Sequence, residues 1–320
     1  GQKIDFPLFL AATAMHRLYH HHGERATARA AEKMGTMFGI STMATTSIEE
    51  IGKLTNGPKL FQLYIHKDKG LTDNLIERSR KAGFNSMCLT VDAAVAGNRE
   101  RDRRTGFTTP PRLTFASLLS FALHPSWTFN HFFSEKFMLA NIIHMTEKGT
   151  SIDKSVIDYI NEQFDTAMNW KDAEYCVKKW NGPFAIKGVM SVEDAKKAID
   201  IGCTAIMISN HGGRQLDGSR TPFDHLAEIV DAVGDKIEVI LDGGVRRGTH
   251  VLKALALGAK ACSFGKGYLF ALGAAGQQGV EAILQKMKDE INRDMILMGC
   301  KSVKELNRSK VAFRKNQNQK

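Results

Sequence analysis

Histidine titrates nearest neutrality of the side chains, so a histidine in polar company is a candidate proton acceptor. His211 stands in "SNHGGRQLDG", residues 209–218, directly after the apolar run Ala205-Ile206-Met207-Ile208. Arg214 follows it closely, and a second stretch, "TVDAAVAGNRERD", carries Asp92 and Arg99. A lone histidine is by default a hydrogen-bonded structural residue. In this company the types fit a reaction. His211 is the base, Asp92 can orient the imidazole and stabilise its cationic form, and Arg99 and Arg214 can clamp a carboxylate bidentately. Lys187 ends the apolar part of "FAIKG". It either snorkels to the surface or is held beside a group that becomes negative. Tyr64 follows Phe61-Gln62-Leu63 and, taken alone, also fits a core tyrosine bonded to backbone. Asp217 reads as structural.

Two further stretches suit an anion. "DGGVRRG" carries Asp242, Gly243, Gly244 and Arg246, and "FGKG" carries Gly265 and Lys266. Glycines let a backbone approach a phosphate closely, while exposed N–H groups and a cation face it.

These residues share one address. Short apolar runs suited to strands cover 6–12, 37–41, 59–64, 86–90, 184–187, 205–209, 238–242 and 261–265. Several are continuously apolar, as parallel strands buried on both faces are. A helix-closing glycine precedes three of them, at Gly83, Gly202 and Gly258. Ser191-Val-Glu-Asp194 opens one intervening helix with a capping pattern. Strands alternating with helices in this number predict an α/β fold, a (β/α)8 TIM barrel; a doubly wound sheet is the runner-up. In a barrel the strand C-termini carry the chemistry. Those ends hold Ala12-Thr13-Ala14, Ser41, Gln62 and Tyr64, Thr90 and Asp92, Lys187, Ser209 and His211, Asp242, and Gly265-Lys266.

One interval breaks the rhythm. After the fourth strand, 169–179 reads as the expected helix and 101–168 as an insertion at the active face. It contains "FASLLSFALHPSWTFNHFF", expected to pack on the barrel, meet another subunit, or touch a membrane peripherally through 115–133.

The whole chain, 1–320, is expected to form one domain with a basic tail at 308–320. Its formal net charge is +10, but the basic residues are scattered, with no basic helix interleaved with aromatics, so nucleic acid is not an expected partner. The five cysteines lie far apart in apolar contexts and read as buried thiols of a reducing compartment. The sequence shows no secretory signal and no membrane-spanning run, which sets the expectation of a cytoplasmic protein. No metal is expected: His20-His21-His22 is adjacent in sequence, and adjacent residues do not share a helix face, so it reads as a solvated or partly structural patch.

With "TVDAAVAGNRERD", "IKGV", "SNHGGRQLDG" and "LDGGVRRGTHVLKALALGA" in this order, the sequence resembles the flavin mononucleotide (FMN)-dependent 2-hydroxy acid oxidase and dehydrogenase family over about residues 1–310. That family includes glycolate oxidases, lactate oxidases, mandelate dehydrogenases and flavocytochrome lactate dehydrogenases. The stretch "LLSFALHPSW" looks most like the bacterial branch, whose L-lactate dehydrogenases meet the membrane and pass electrons to quinone or cytochrome. The resemblance implies FMN as cofactor and oxidation of an (S)-2-hydroxy acid, L-lactate foremost, to its 2-keto acid. Location would be cytoplasmic or peripheral on the inner face of the cell membrane, and the protein a homo-oligomer. His211 would be the base, whether the proton comes from carbon or from the hydroxyl. Asp92 would stabilise its protonated form. Arg99 and Arg214 would hold the carboxylate, with Tyr64 on the hydroxyl oxygen. Lys187 would face the flavin pyrimidine edge. Ala12, Thr13, Ala14, Ser41, Gln62, Thr90 and Ser209 would line the ring or ribityl chain. Asp242, Gly243, Gly244, Arg246, Gly265 and Lys266 would take the ribityl hydroxyls and phosphate.

The sequence departs from the family at several points. Lys266 stands where arginine is usual and loses its fork. Met43 replaces a tryptophan of the plant glycolate oxidases on the substrate side, and Ala12 and Ala94 stand where proline is common. The family's helical segment before the first strand, with its active-site tyrosine, precedes Gly1-Gln2-Lys3. Either the sequence is a truncated form or one carboxylate contact is absent, at a cost of about 1.5–3 kcal/mol. Two other outcomes stay open: an oxidase reducing O2 to hydrogen peroxide, and a non-catalytic FMN- or phosphate-binding barrel.

Overall fold

The computed structural model describes residues 1–106, 114–142 and 162–313. Residues 107–113 and 143–161 of the expected insertion, and 314–320 of the expected basic tail, lie outside the described residues.

Eight strands close a parallel barrel in sequence order: β1 (Leu8–Thr13), β2 (Phe38–Ser41), β3 (Lys59–Leu63), β4 (Ser86–Thr90), β5 (Phe184–Val189), β6 (Ala205–Ile208), β7 (Glu238–Asp242) and β8 (Ala261–Phe264). The expected barrel is therefore the observed one. Around it lie α1 (Gly23–Lys33), α2 (Ile48–Leu54) and α3 (Lys69–Lys81). The excursion after β4 contributes α4 (Glu100–Thr105), α5 (Phe115–Leu123) and α6 (Pro125–Phe132). The ring then continues with α7 (Trp170–Trp180), α8 (Val192–Asp200), α9 (Pro222–Val233), α10 (Gly248–Ala256) and the long, kinked α11 (Lys266–Leu297).

The strand period of two decides what each face carries. Outward residues such as Leu8, Leu10, Phe61, Leu63, Ile206, Ile208 and Phe264 pack against the helices in the main core. Inward residues Phe9, Met37, Leu60, Cys88, Ala185, Ala205, Met207 and Ile240 fill the barrel as a separate apolar cluster. Two residues further on, the same inner face turns polar. Leu60 is followed by Gln62, Cys88 by Thr90, Ala185 by Lys187, Met207 by Ser209 and Ile240 by Asp242. The lattice is in register there, with Thr90 beside Lys187 and Asp242 beside Ser263. An apolar plug thus supports a polar floor at the C-terminal mouth.

Several boundaries differ from the sequence expectation. β1 starts later and runs to Thr13, β2 starts at Phe38, and β3, β6 and β8 stop one residue early. Gly265 leaves the sheet because it is the N-cap of α11. Ser209 leaves it because its hydroxyl is bonded to Asp242 and to the His211 N–H. β5 instead extends to Val189, through a register shift next to Gly188. The helix joints hold: Gly83, Gly202 and Gly258 all have φ between 75 and 105°. Asn169 and Asp172 form a capping box on α7, and the Ser191 hydroxyl accepts from Asp194 N–H to open α8. The five cysteines are free and buried, as expected.

In the excursion, α5 and α6 contribute no buried residue. The segment is instead tethered beside the first two strand ends. Trp127 Nε1 donates to Leu18 O (3.0 Å), Arg17 to Lys136 O (3.0 Å), and Ile48 N to Asn141 Oδ1 (2.9 Å). No described helix is long and apolar enough to cross a membrane.

Candidate active site

The centre of the mouth is one connected set of charges. His211 Nδ1 lies 2.8 Å from Asp92 Oδ1 and 3.4 Å from Lys187 Nζ. A carboxylate only accepts, so Nδ1 carries the proton and donates to Asp92, which leaves the Nε2 lone pair available. Lys187 Nζ stands 3.6 Å from both Asp92 Oδ2 and Asp242 Oδ2. Asp242 is fixed in turn by Ser209 (2.6 Å) and by a close bond from Ser263. Asp92 Oδ2 is buried without a hydrogen-bond partner among the described residues.

The backbone works to create this arrangement. His211 has φ 57°, a left-handed conformation uncommon outside glycine, and Gly212 and Gly213 continue it. Such strain persists where surrounding contacts impose it, and it clusters at functional sites. Beyond β4, Asp92 packs against Gly188, where a Cβ would lie 2.8 Å from the Asp92 Cβ. The space that Asp92 occupies depends on that missing side chain.

Burial and charge set the protonation states. Burial pushes the His211 imidazole below its ordinary value, Lys187 pushes the same way, and Asp92 pulls back without overcoming them. The free base is therefore neutral; the expected stabilisation of a cation by Asp92 is present but is outweighed until a proton arrives. Burial would raise the Asp92 carboxyl, but Lys187 and the His211 bond hold it below the usual carboxylate range. Burial would discharge Lys187, yet Asp242 and Asp92 keep it protonated well above its ordinary value. Tyr64, buried and stacked on Phe164 (4.7 Å), is pushed up to about 12 by burial and stays a neutral donor.

Next to this set stands a group of cations. Among the described residues Arg99 and Arg214 form no salt bridge, and Arg99 Nε is buried without a partner. Burial, then Arg214, lowers the Arg99 guanidinium, so the two cations face a common region. A second group comprises Lys266, Arg214 and Arg246. Burial and then the two arginines lower the Lys266 amine, which contacts Gly212 O at 3.5 Å. After β7, Gly243 and Gly244 have φ 96 and 74°, and a Cβ on Gly244 would meet open space. Arg99 and Arg214 thus follow the β4 and β6 ends, and Arg246 and Lys266 the β7 and β8 ends.

The remaining sequence-derived residues fall around these two. Gln62 Nε2 bonds closely to the Thr90 hydroxyl and more loosely to Tyr64 OH (3.4 Å). Ser41 Oγ accepts from Met43 N (3.1 Å), and Met43 is buried. Thr13 Oγ1 is bound by His16 Nε2 (2.6 Å) and by Tyr268, whose hydroxyl donates to Ala11 O (2.7 Å). Ala12 and Ala14 flank it with partial exposure, Gly265 caps α11, and Asp217 only closes its own turn through Gly218 N.

The sequence reading missed several partners. Ser263 lies on the inner face two residues after Ala261, so the strand period was sufficient to find it. Tyr19 carried no such signal. Burial raises its phenol, and Arg214 and Arg99 act against that, which sets Tyr19 beside the clamp. Nor did Glu24, fully buried, which accepts from His16 N (3.1 Å), Thr45 N (2.9 Å) and Thr45 Oγ1 (2.6 Å) and so ties the first two strand ends together.

Comparison with known proteins places the chain in a family. The family model described as FMN-dependent dehydrogenase matches residues 1–313. An L-lactate oxidase of Nostoc sp. is 41% identical over 313 residues, covering 97% of this chain and 80% of the relative. A glycolate oxidase of Spinacia oleracea is 40% identical, covering 98% of this chain and 79% of the relative. The solved structure of a monotopic membrane protein, (S)-mandelate dehydrogenase, superposes with a TM-score of 0.89 at 32% identity, covering 96% of this chain and 80% of that one. The chain belongs to the FMN-dependent dehydrogenase family.

Proposed function

We propose that this protein oxidises L-lactate, or a hydroxy acid of similar size, to the 2-keto acid and delivers the electrons to a quinone or cytochrome acceptor. The coarser activity, FMN-dependent oxidation of a 2-hydroxy acid, follows from family membership. The observation that carries the hydroxy-acid reading is the pairing of a neutral, Asp92-bound His211 with Arg99 and Arg214, which form no salt bridge among the described residues.

The residues present fit FMN. Arg246 and Lys266 are cations over a glycine cradle suited to a phosphate, and Gly265 opens a helix there. Asp242 and Ser263 suit ribityl hydroxyls, with Gly243 and Gly244 admitting the chain. Ala12, Thr13, Ala14, Ser41, Gln62, Thr90 and Ser209 would border the ring. FMN, when bound, would take up the two electrons and one of the two protons released as the hydroxyl carbon becomes a keto carbon. Lys187, kept charged by two carboxylates, would favour negative charge on a cofactor bound beside it. Arg99 and Arg214 orient the substrate carboxylate, and Tyr64 donates to the substrate's hydroxyl oxygen. His211 Nε2 receives the proton, and the resulting cation is held by Asp92 at 2.8 Å.

L-lactate is favoured by the L-lactate oxidase among the relatives, and the buried Met43 and the Tyr64–Phe164 stack would border the substrate's side chain. A lipid-soluble or membrane-bound acceptor is favoured by the apolar face of α5 and α6: Phe115, Leu123, Phe129, Phe132 and Phe133 are each more than 60% exposed. The structural neighbour, a monotopic membrane protein, supports the same reading. The oxidase names of the sequence relatives favour a second acceptor, O2.

The test is anaerobic flavin bleaching by lactate, glycolate and mandelate, followed by reoxidation with quinone or air. Lactate should bleach fastest, and quinone should outpace air. Preferential bleaching by mandelate, or rapid reoxidation by air alone, would overturn the substrate or acceptor reading respectively. His211→Gln should retain FMN and lose bleaching by orders of magnitude; an unchanged rate removes His211 from the reaction.

A further inference from the structure

The His20-His21-His22 run was expected not to converge, and the structure brings its rings together. The chain here is a turn between the short 3-10 helix His16–Leu18 and α1, closed by Gly23 N bonding to His20 O (2.8 Å). Ring centroids lie 4.3 Å apart for His20–His21, 4.1 Å for His21–His22 and 5.4 Å for His20–His22. One ligand nitrogen from each residue can be chosen so that all lie within 4.8 Å of one another.

A second element is shaped around the cluster. Helix α11 breaks at Ala275–Gly276, with non-helical angles at both residues. At that break a Cβ on Gly276 would stand 2.8 Å from His20 Cε1 and Nε2. The kink and the missing side chain together make the seat in which the His20 ring rests.

We propose that His20, His21 and His22 form a site for a divalent transition cation, zinc foremost, bound through three imidazole nitrogens with water in the fourth position. Imidazole is a preferred ligand for zinc, copper(II) and nickel(II). Tetrahedral zinc with bonds of about 2.0–2.1 Å sets its nitrogens about 3.3 Å apart. From 4.8 Å the rings need rotate only modestly, and His21 and His22 are open enough to do so. Ligation through His20 Nδ1 would replace one existing contact, the His22 N–H to His20 Nδ1 bond at 3.2 Å, whereas ligation through Nε2 would leave it in place. The site lies on the loop that follows β1 and is built from residues separate from His211, Asp92 and Lys187.

The FMN-loaded protein, stripped with a chelator and titrated calorimetrically with zinc chloride, tests this. The expected result is saturable binding of one zinc per chain. His21→Ala and His22→Ala, which alter accessible side chains, should each weaken binding by at least about tenfold while leaving the flavin absorbance and far-UV circular dichroism unchanged. Gly276→Ala should weaken it as well, by displacing His20. Absence of saturable binding, or affinities in His21→Ala and His22→Ala equal to the parent's, would overturn the proposal.

Discussion

Asp92→Asn removes a charge and almost nothing else. The amide oxygen can still accept from His211 Nδ1, and Lys187 keeps Asp242 at 3.6 Å. What is lost is the attraction between the carboxylate and the imidazolium that forms when His211 takes up the proton, across 2.8 Å in a largely buried setting. Hydrogen bonds to charged groups contribute about 1.5–3 kcal/mol. At about 1.4 kcal/mol per decade this becomes a kcat lower by about 10- to 150-fold. The loss should fall on kcat, because Arg99 and Arg214 hold the substrate independently; KM should move by less than about threefold. The pH profile gives a second reading. Activity requires neutral His211, so the acid limb of kcat/KM marks its titration, which burial and Lys187 already place below the ordinary histidine value. Asp92 is the principal group pulling the other way. Its neutralisation therefore shifts the acid limb to still lower pH. Anaerobic stopped-flow bleaching across pH measures both quantities. An acid limb that moved upward, or a loss confined to KM, would refute this account of the pair.

Three further outcomes follow from other parts of the molecule. Arg99→Lys keeps the charge but loses the fork, and KM for the hydroxy acid should rise about tenfold with kcat less affected, read from steady-state kinetics. His66 is fully buried, and burial pushes its imidazole down to about 4. Because the unfolded chain binds that proton more readily, stability is present above the unfolded value and is lost as pH falls from about 6.5 toward 4, by about 2 kcal/mol at pH 5. Urea midpoints should fall over that range, and His66→Gln should flatten the fall; an unchanged slope counts against it. Leu119→Glu combined with Phe132→Glu, both on exposed positions of the excursion, should abolish flotation with anionic lipid vesicles while anaerobic bleaching by lactate stays at the parent rate.

The barrel was legible because eight apolar runs of strand length alternate with helices, and the rule that barrel chemistry sits at strand C-termini then located the mouth. The strand period of two, seen in the structure, sets Leu60 under Gln62, Cys88 under Thr90 and Ile240 under Asp242. The same rule locates Ser263, which the sequence reading passed over. Residues after the strands obey no period, and there legibility depended on chemically complementary types in short stretches: His211, Arg214 and Asp92 were found that way, and Tyr19 was not. Charge balance was less legible still, since whether Asp92 or Lys187 dominates at His211 depends on separations that no spacing encodes.

His20-His21-His22 shows how a sound rule fails when its premise is wrong. Adjacent residues point apart on a helix because each step turns the chain by about 100° at a fixed radius. These three lie in a turn flanked by left-handed Met15 and Gly23, where successive side chains are not distributed around a common axis. Three adjacent rings can then stack, provided that something opposite leaves them room. The room comes from Gly276, more than 250 residues away in sequence, at a kink that the composition of α11 alone did not announce. Convergence of neighbours in sequence is thus a tertiary property here, and a run of like ligands in an irregular segment is best judged by the surface it packs against.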